Sequence, residues 1–387
     1  MTSASPAAPA RLVWTEADTQ RSLRWVSESG MPAPRKVVIA DDKTPADVAY
    51  RLACEGTALL WRGDFQNARQ LLQALARRAD HKGDKGKRAK APKVPATPAE
   101  AFHLHRQAQS QRARTLAMLL IPFDADYTIP LRRAPDVRLA CNEAYGRGTE
   151  PFVASMRELL GLIGAHEWRK NGVEIAALGE RIHPHYGVFS PIRGEYVQLV
   201  AEAALPARVD VAFDIGTGTG VLAALLAKRG VARVVATDLD QRALSCAREN
   251  LQRLGFDDRV ELRQADLFPE GRAALIVCNP PWLPGRPSSS LENAVYDPDS
   301  RMLKGFLNGL AAHLEAGGEG WLILSDLAEH LALRPRQQLL DWIGTAGLKV
   351  LDRHAVRPTH PRASDASDPL HKARAAEVTS LWRLAAA

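Results

Sequence analysis

Cysteine is scarce in this 387-residue sequence, with four residues, Cys54, Cys141, Cys246 and Cys278, and no C-x-x-C pair among them. That spacing excludes a zinc-finger or disulfide framework and predicts reduced thiols in a cytoplasmic protein. Long apolar runs are also missing. Stretches such as Leu116 to Pro122 are too short for a membrane span and predict buried strands instead. The first residues, MTSASPAAPARLVW, have no basic segment followed by an apolar one, so a secretory leader is not expected. No internal repeat is found, which sets aside solenoids and propellers.

What is present is ordinary globular material, 46% hydrophobic and 25% charged, in a length that suits two domains. Basic residues outnumber acidic ones, 51 to 44, for a formal charge of +7. Such a balance fits an anionic partner such as nucleic acid, and equally a soluble arginine-rich protein with none.

Helix-start signals organise the N-terminal half. Thr44-Pro45-Ala46-Asp47 and a segment from Asp64 carrying Leu71, Leu72 and Leu75 predict a small helical unit over residues 1–80. Composition then changes. Residues 77–95 hold many lysines and almost no large apolar side chain, so a basic linker is expected over 81–96, either a plain connector or a nucleic-acid-contacting arm. Thr97-Pro98-Ala99-Glu100 is a capping-box start. Residues 97–184 read as an intermediate α+β substrate-recognition region, with a strand at 116–124, a helix from about Pro151 to Lys170, and a hairpin after it. From 185 to 387, strands alternate with helices. The last two strand candidates, LKVLDRHAV and EVTSLWRL, suit an antiparallel edge hairpin. The expected fold is therefore α/β, a doubly wound, seven-stranded Rossmann-like sheet at the C-terminus, preceded by a mainly helical α+β region.

Asp214-Ile215-Gly216-Thr217-Gly218-Thr219-Gly220 ends one strand and opens a helix. Such glycines let backbone pass close to a ligand, and the helix start presents free N–H groups. The spacing is G-x-G-x-G, with Val221 where the dinucleotide fingerprint has its third glycine. Asp214 precedes the turn, where a carboxylate would sit poorly beside a pyrophosphate and well beside a cationic sulfonium cofactor. Asp238, ending the next strand, is placed to accept from ribose hydroxyls of either cofactor type, with Asp240 as a substitute. Asp266 is read as an acceptor for an adenine amino group, or as a strand-end cap.

Asn279-Pro280-Pro281-Trp282 follows the fourth strand, AALIVC. The lone pair of an amide or exocyclic amine nitrogen is delocalised, so nucleophilic attack needs help. The Asn279 side-chain oxygen and the Pro280 carbonyl are suited to accept its two N–H groups, while consecutive prolines fix φ and aim both acceptors. Trp282, together with Pro281, offers a flat surface for a planar substrate.

Together, DIGTGTG, Asp238, Asp266 and NPPW resemble the Rossmann-like S-adenosylmethionine methyltransferases of the "small" methyltransferase group, over roughly residues 185–387. That group includes release-factor glutamine methyltransferases and the adenine- and guanine-amino methyltransferases of RNA and DNA. The resemblance implies S-adenosyl-L-methionine as cofactor, lined by Asp214, Gly216, Gly218 and Gly220, with its ribose on Asp238. It also implies that Asn279 through Trp282 hold the target nitrogen of a protein acceptor, such as a translation factor, or of RNA or DNA. Trp282 stands where the group more often has Tyr or Phe. Pro191, Arg193 and Glu195 loosely match a segment that covers the cofactor in the glutamine-modifying branch, whereas residues 1–180 do not resemble that branch's short helical substrate-recognition domain.

His183 and His185 read as hairpin structure. His354, His360 and His371 are spaced too irregularly for a metal, and no metal site is expected. The basic loop 352–376, with Arg353, Arg357, Arg362, Lys372 and Arg374, is either a solvated loop or an aid to phosphate binding. Ser325-Asp326 has no partner histidine pattern for a hydrolase. Two competing readings are a non-catalytic module that binds S-adenosylmethionine or RNA, and a nicotinamide-dependent oxidoreductase, which would leave NPPW without a role.

Overall fold

A computed structural model describes residues 10–80, 95–287, 290–358 and 365–387. Most of the basic stretch expected as a linker, and also His360 and Arg362, lie outside these residues. Two compact units emerge, one from residues up to 94 with 104–167, the other from 95–103 with 168–387.

The first unit contains β1 (Arg11–Glu16), β2 (Thr19–Trp25), β3 (Lys36–Ala40), α1 (Ala46–Cys54), β4 (Thr57–Trp61) and α2 (Phe65–Asp80). After α3 (Pro98–Leu116), which belongs to the second unit up to His103, come β5 (Leu119–Phe123), α4 (Arg138–Tyr145), β6 (Phe152–Ser155) and α5 (Met156–Asn171), which passes into the second unit from Trp168. Its strands form one six-stranded sheet in the order β1-β2-β6-β5-β4-β3. The first eighty residues are thus not a helical unit, since they supply four of the six strands. Leu12 and Trp14 alternate inward along β1, and every residue of β4 is buried, so β pairing claims segments that lie between the predicted helices. Residues 104–167 complete the same sheet instead of forming a separate intermediate region. The helix expected from Pro151 begins at Met156, because Phe152–Ser155 pairs with β5.

The second unit opens with the expected hairpin, β7 (Val173–Ile175) and β8 (Glu180–Ile182), then α6 (Glu195–Glu202). The sheet is built from β9 (Val211–Ile215), α7 (Val221–Lys228), β10 (Arg233–Asp238), α8 (Gln241–Leu254), β11 (Val260–Gln264) and β12 (Ala273–Cys278). It continues with α9 (Arg301–His313), β13 (Leu314–Ser325), α10 (Leu327–His330), α11 (Arg336–Thr345), β14 (Leu348–Val356), α12 (His371–Ala376) and β15 (Thr379–Ala386). The seven strands run β11-β10-β9-β12-β13-β15-β14, parallel except for β15, which is antiparallel to both neighbours. This is the doubly wound, Rossmann-like sheet expected, with the C-terminal hairpin at its edge. Apolar clusters cover both faces, one centred on α6–α8 and the other on α9 and α11. At the start of α3, Glu100 N–H donates to Thr97 Oγ1 (3.1 Å) and the Glu100 carboxylate accepts from Ala96 N–H (2.7 Å), a cap one residue offset from the simple box.

Among the described residues no helix is long and apolar enough to cross a membrane. The four cysteines are free thiols.

Candidate active site

Strand order reverses between β9 and β12, and crevices at such switch points are where open α/β sheets take ligands. Register makes the crevice specific. Ile215 pairs with Cys278, so Gly216 and Asn279 leave adjacent strands at the same level. Ile215 also pairs with Thr237, and the Thr237 carbonyl accepts from both Gly216 and Thr217 N–H (2.9 and 2.8 Å), which brings Asp238 beside the turn. A cavity of about 850 Å³ opens there, a size that suits a cofactor. Gly216, Gly218, Asp238, Asp266 and Asn279 through Trp282 all line it. Residues read from separate stretches of sequence therefore meet in one space.

Gly216 and Gly220 both hold a positive φ that favours glycine, and they differ in what surrounds them. A Cβ on Gly216 (φ 74°) would lie 2.5 Å from Met302 Cε. Gly220 (φ 81°) caps α7 and packs against Ala247 of α8, so its side faces the protein interior.

Asp214 departs from the expectation that its charge meets the ligand directly. Its side chain is 1% exposed and turned beneath the turn, where Oδ2 accepts from Thr217 Oγ1 (2.7 Å) and Ala223 N–H (3.1 Å). Burial pushes its carboxyl up to about 6. Asp214 ties the glycine turn to the first turn of α7.

Asp238 Oδ2 accepts from Gly218 N–H and Oδ1 from Asp240 N–H, both 3.0 Å. Burial raises its carboxyl above the usual range, and each oxygen keeps a lone pair that a ribose hydroxyl can use. Asp240 itself caps α8 through Arg242 N–H (2.8 Å). Asp266 lines the cavity but is ion-paired with Arg301 at the start of α9, a partner not anticipated from sequence.

At the other end, Asn279 Oδ1 accepts the indole N–H of Trp282 (2.9 Å). The Arg193 guanidinium lies 4.8 Å from the Trp282 ring centroid, so one face of the ring is already covered. Arg334, 3% exposed, donates to the Trp282 carbonyl (3.2 Å), and burial lowers its pKa. Trp282 lines the cavity with one ring face beneath Arg193.

Residues 283–303 were missed by sequence reading. Asp297 N–H donates to the Leu283 carbonyl (2.9 Å), and both residues line the cavity. The buried Asp297 carboxylate then caps α9 by accepting from Met302 and Leu303 N–H (3.0 and 3.1 Å). The Asp297-Pro298 pair is a helix-start signal that could have found it. His183 and His185 act structurally. His183 Nδ1 meets the Arg169 carbonyl (2.6 Å) and His185 Nε2 meets Glu249 (2.9 Å). No group of three His, Cys, Asp or Glu among the described residues is placed to hold a metal.

Residues 180–333 match the family model described as the methyltransferase small domain. A release factor glutamine methyltransferase of Cereibacter sphaeroides is 39% identical over 151 residues, 38% of this chain and 50% of that protein. A ribosomal protein uL3 glutamine methyltransferase of Bordetella pertussis is 38% identical over 114 residues, 27% of this chain and 38% of the relative. A tRNA1(Val) (adenine(37)-N6)-methyltransferase of Glaesserella parasuis is 36% identical over 88 residues, 22% of this chain and 37% of the relative. The chain thus spans at most half the length of these curated relatives. The resemblance read from DIGTGTG and NPPW holds over the matched region.

Proposed function

We propose that the second unit is an S-adenosylmethionine-dependent N-methyltransferase acting on a planar amide or exocyclic amine nitrogen. The observation that carries this reading is the β9–β12 register, which sets a glycine turn and the Asn279-Pro280 acceptors side by side in one cavity. The residues present fit the cofactor. The turn offers backbone N–H groups, Asp238 offers lone pairs for the ribose diol, and Asp266 can face the adenine edge once Arg301 is displaced. When bound, S-adenosylmethionine supplies an electrophilic methyl group.

The chain's own residues then orient the nucleophile. Asn279 Oδ1 and the Pro280 carbonyl accept the two N–H groups of the target nitrogen and direct its lone pair toward the cofactor, so the rate gain comes from position and preorganised polarity. No strong base is needed, because the alkylated nitrogen is acidic and loses its extra proton to water. The acceptor is a protein glutamine, as the release factor and uL3 relatives suggest, or a base of nucleic acid, as the tRNA relative suggests. Both present the same flat N–H pair.

The purified chain and tritiated S-adenosylmethionine, added together to extract from cells lacking this protein and followed by RNase, DNase or protease digestion, test the reading. Label is expected in macromolecules and should be released by one of the three. A chain that neither binds the cofactor nor labels any fraction would overturn it.

A further inference from the structure

Trp282 is held at three points, two through its side chain and one through its main chain. Its indole N–H donates to Asn279 Oδ1, its carbonyl accepts from the buried Arg334, and its ring face lies under Arg193. Arg193 is itself fixed by Glu195 (2.6 Å), Glu377 (3.0 Å) and Thr379 Oγ1 (3.4 Å). Glu377, 1% exposed, accepts Ser325 Oγ–H through the same Oε1 (2.6 Å), which ties the clamp to the end of β13 as well as to β15.

An indole nitrogen is a donor only, so the atom facing it must be the amide oxygen. The bond therefore selects one of the two flipped states of the Asn279 amide. It leaves the second lone pair of Oδ1 for an incoming N–H. Without it, the amide is free to rotate and present its NH2 group, a donor that opposes the N–H of the acceptor. A phenyl or phenol ring at position 282 has no N–H at this place.

Building on the methyltransferase reading, we propose that Trp282 and Arg193 are positioning residues that lock the Asn279 amide with its oxygen toward the acceptor nitrogen. Trp282 acts by hydrogen bonding, and Arg193 acts by pressing on the ring face, held by ion pairs to Glu195 and Glu377 and a hydrogen bond to Thr379 at the start of β15.

The test uses the full chain labelled with 15N at its eight tryptophan indoles. The indole signal absent from Trp282→Phe identifies residue 282. In the wild type that N–H should exchange slowly with solvent. Exchange should quicken about tenfold or more in Asn279→Ala and also in Arg193→Met, the effect of one lost hydrogen bond or its support. In transfer assays on the fraction that takes label, Trp282→Phe should lose about tenfold in kcat, with acceptor KM within about twofold. If Trp282 serves only as a stacking surface, Phe keeps kcat, and that result overturns the proposal. So does an indole signal in the wild type that exchanges freely or ignores Asn279→Ala. Should Trp282→Phe fail to fold, sequential backbone assignment of the wild type identifies the indole signal of residue 282, and the Asn279→Ala and Arg193→Met spectra still decide. Failure of S-adenosylmethionine to bind the wild type in a titration would sink the methyltransferase reading alone, since the indole signals are read without cofactor.

Discussion

At the glycine turn, the groups that shape the cavity come from one continuous run, residues 214–240. The Asn279 end instead draws on Arg193, Arg334, Glu377 and Thr379, with Arg193 and Thr379 lying 186 residues apart. The first end is a backbone device, three glycines with one buried and one half-buried carboxylate that arrange N–H groups. The second is a side-chain device, in which an amide oxygen is aimed by a ring and the ring by an ion-paired guanidinium. The two suit different tasks. A backbone cradle binds a cofactor with little dependence on distant parts of the fold, whereas an acceptor-activating oxygen needs its angle fixed, and rigid support from several strands supplies that.

If the ends are separable, their variants should fail in different measurements. The largest effect is expected for Asn279→Ala, which should transfer methyl groups at least about a hundredfold more slowly while binding S-adenosylmethionine almost normally. Equal losses in rate and cofactor affinity would merge the two ends. Asp238→Ala should weaken cofactor binding by about 1.5–3 kcal/mol, the size of a lost charge-assisted hydrogen bond, and leave acceptor KM unchanged. Unaltered affinity by titration would move the ribose contact elsewhere.

The smallest effect separates binding from architecture. Burial lifts the Asp214 carboxyl from 3.8 to about 6. Between those values the folded chain holds a proton that the unfolded chain has released, so this group lowers stability as pH rises from about 4 to about 6. Both donors use the same oxygen, so Asp214→Asn can keep the turn and remove the pH-dependent contribution. Its denaturation midpoint relative to wild type should improve as pH rises through that window, with cofactor affinity little changed. A large loss of affinity would restore a direct electrostatic role for Asp214.

This division also explains what the sequence disclosed. The glycine turn, Asp238 and NPPW are short-range signals, each complete within a few residues at a strand end, and the alternation of strands and helices was enough to place them on one sheet. Arg193 was noted only within a loosely matched segment and Glu377 not at all, and their pairing was hidden because they become neighbours only when β15 inserts antiparallel beside β13. Trp282 was recognised, but the Arg193 guanidinium on its ring face arrives through tertiary packing and was not anticipated. In the first unit, helix caps were legible and the helices formed. The strand expected at 116–124 formed as β5, whereas β1 to β4 were missed because short apolar runs such as ALLW do not distinguish a buried strand from a helix until their sheet partners are known.

The central claim is that one ligand, S-adenosylmethionine, occupies the crevice between β9 and β12 and touches both ends of it. Backbone hydrogen exchange of the intact chain, with and without saturating cofactor, tests this most directly. The account predicts slowed exchange in peptides covering residues 214–222 and 238–240, with a smaller slowing at the Asn279–Trp282 segment. Cofactor that binds while exchange in residues 214–222 stays unchanged would contradict it.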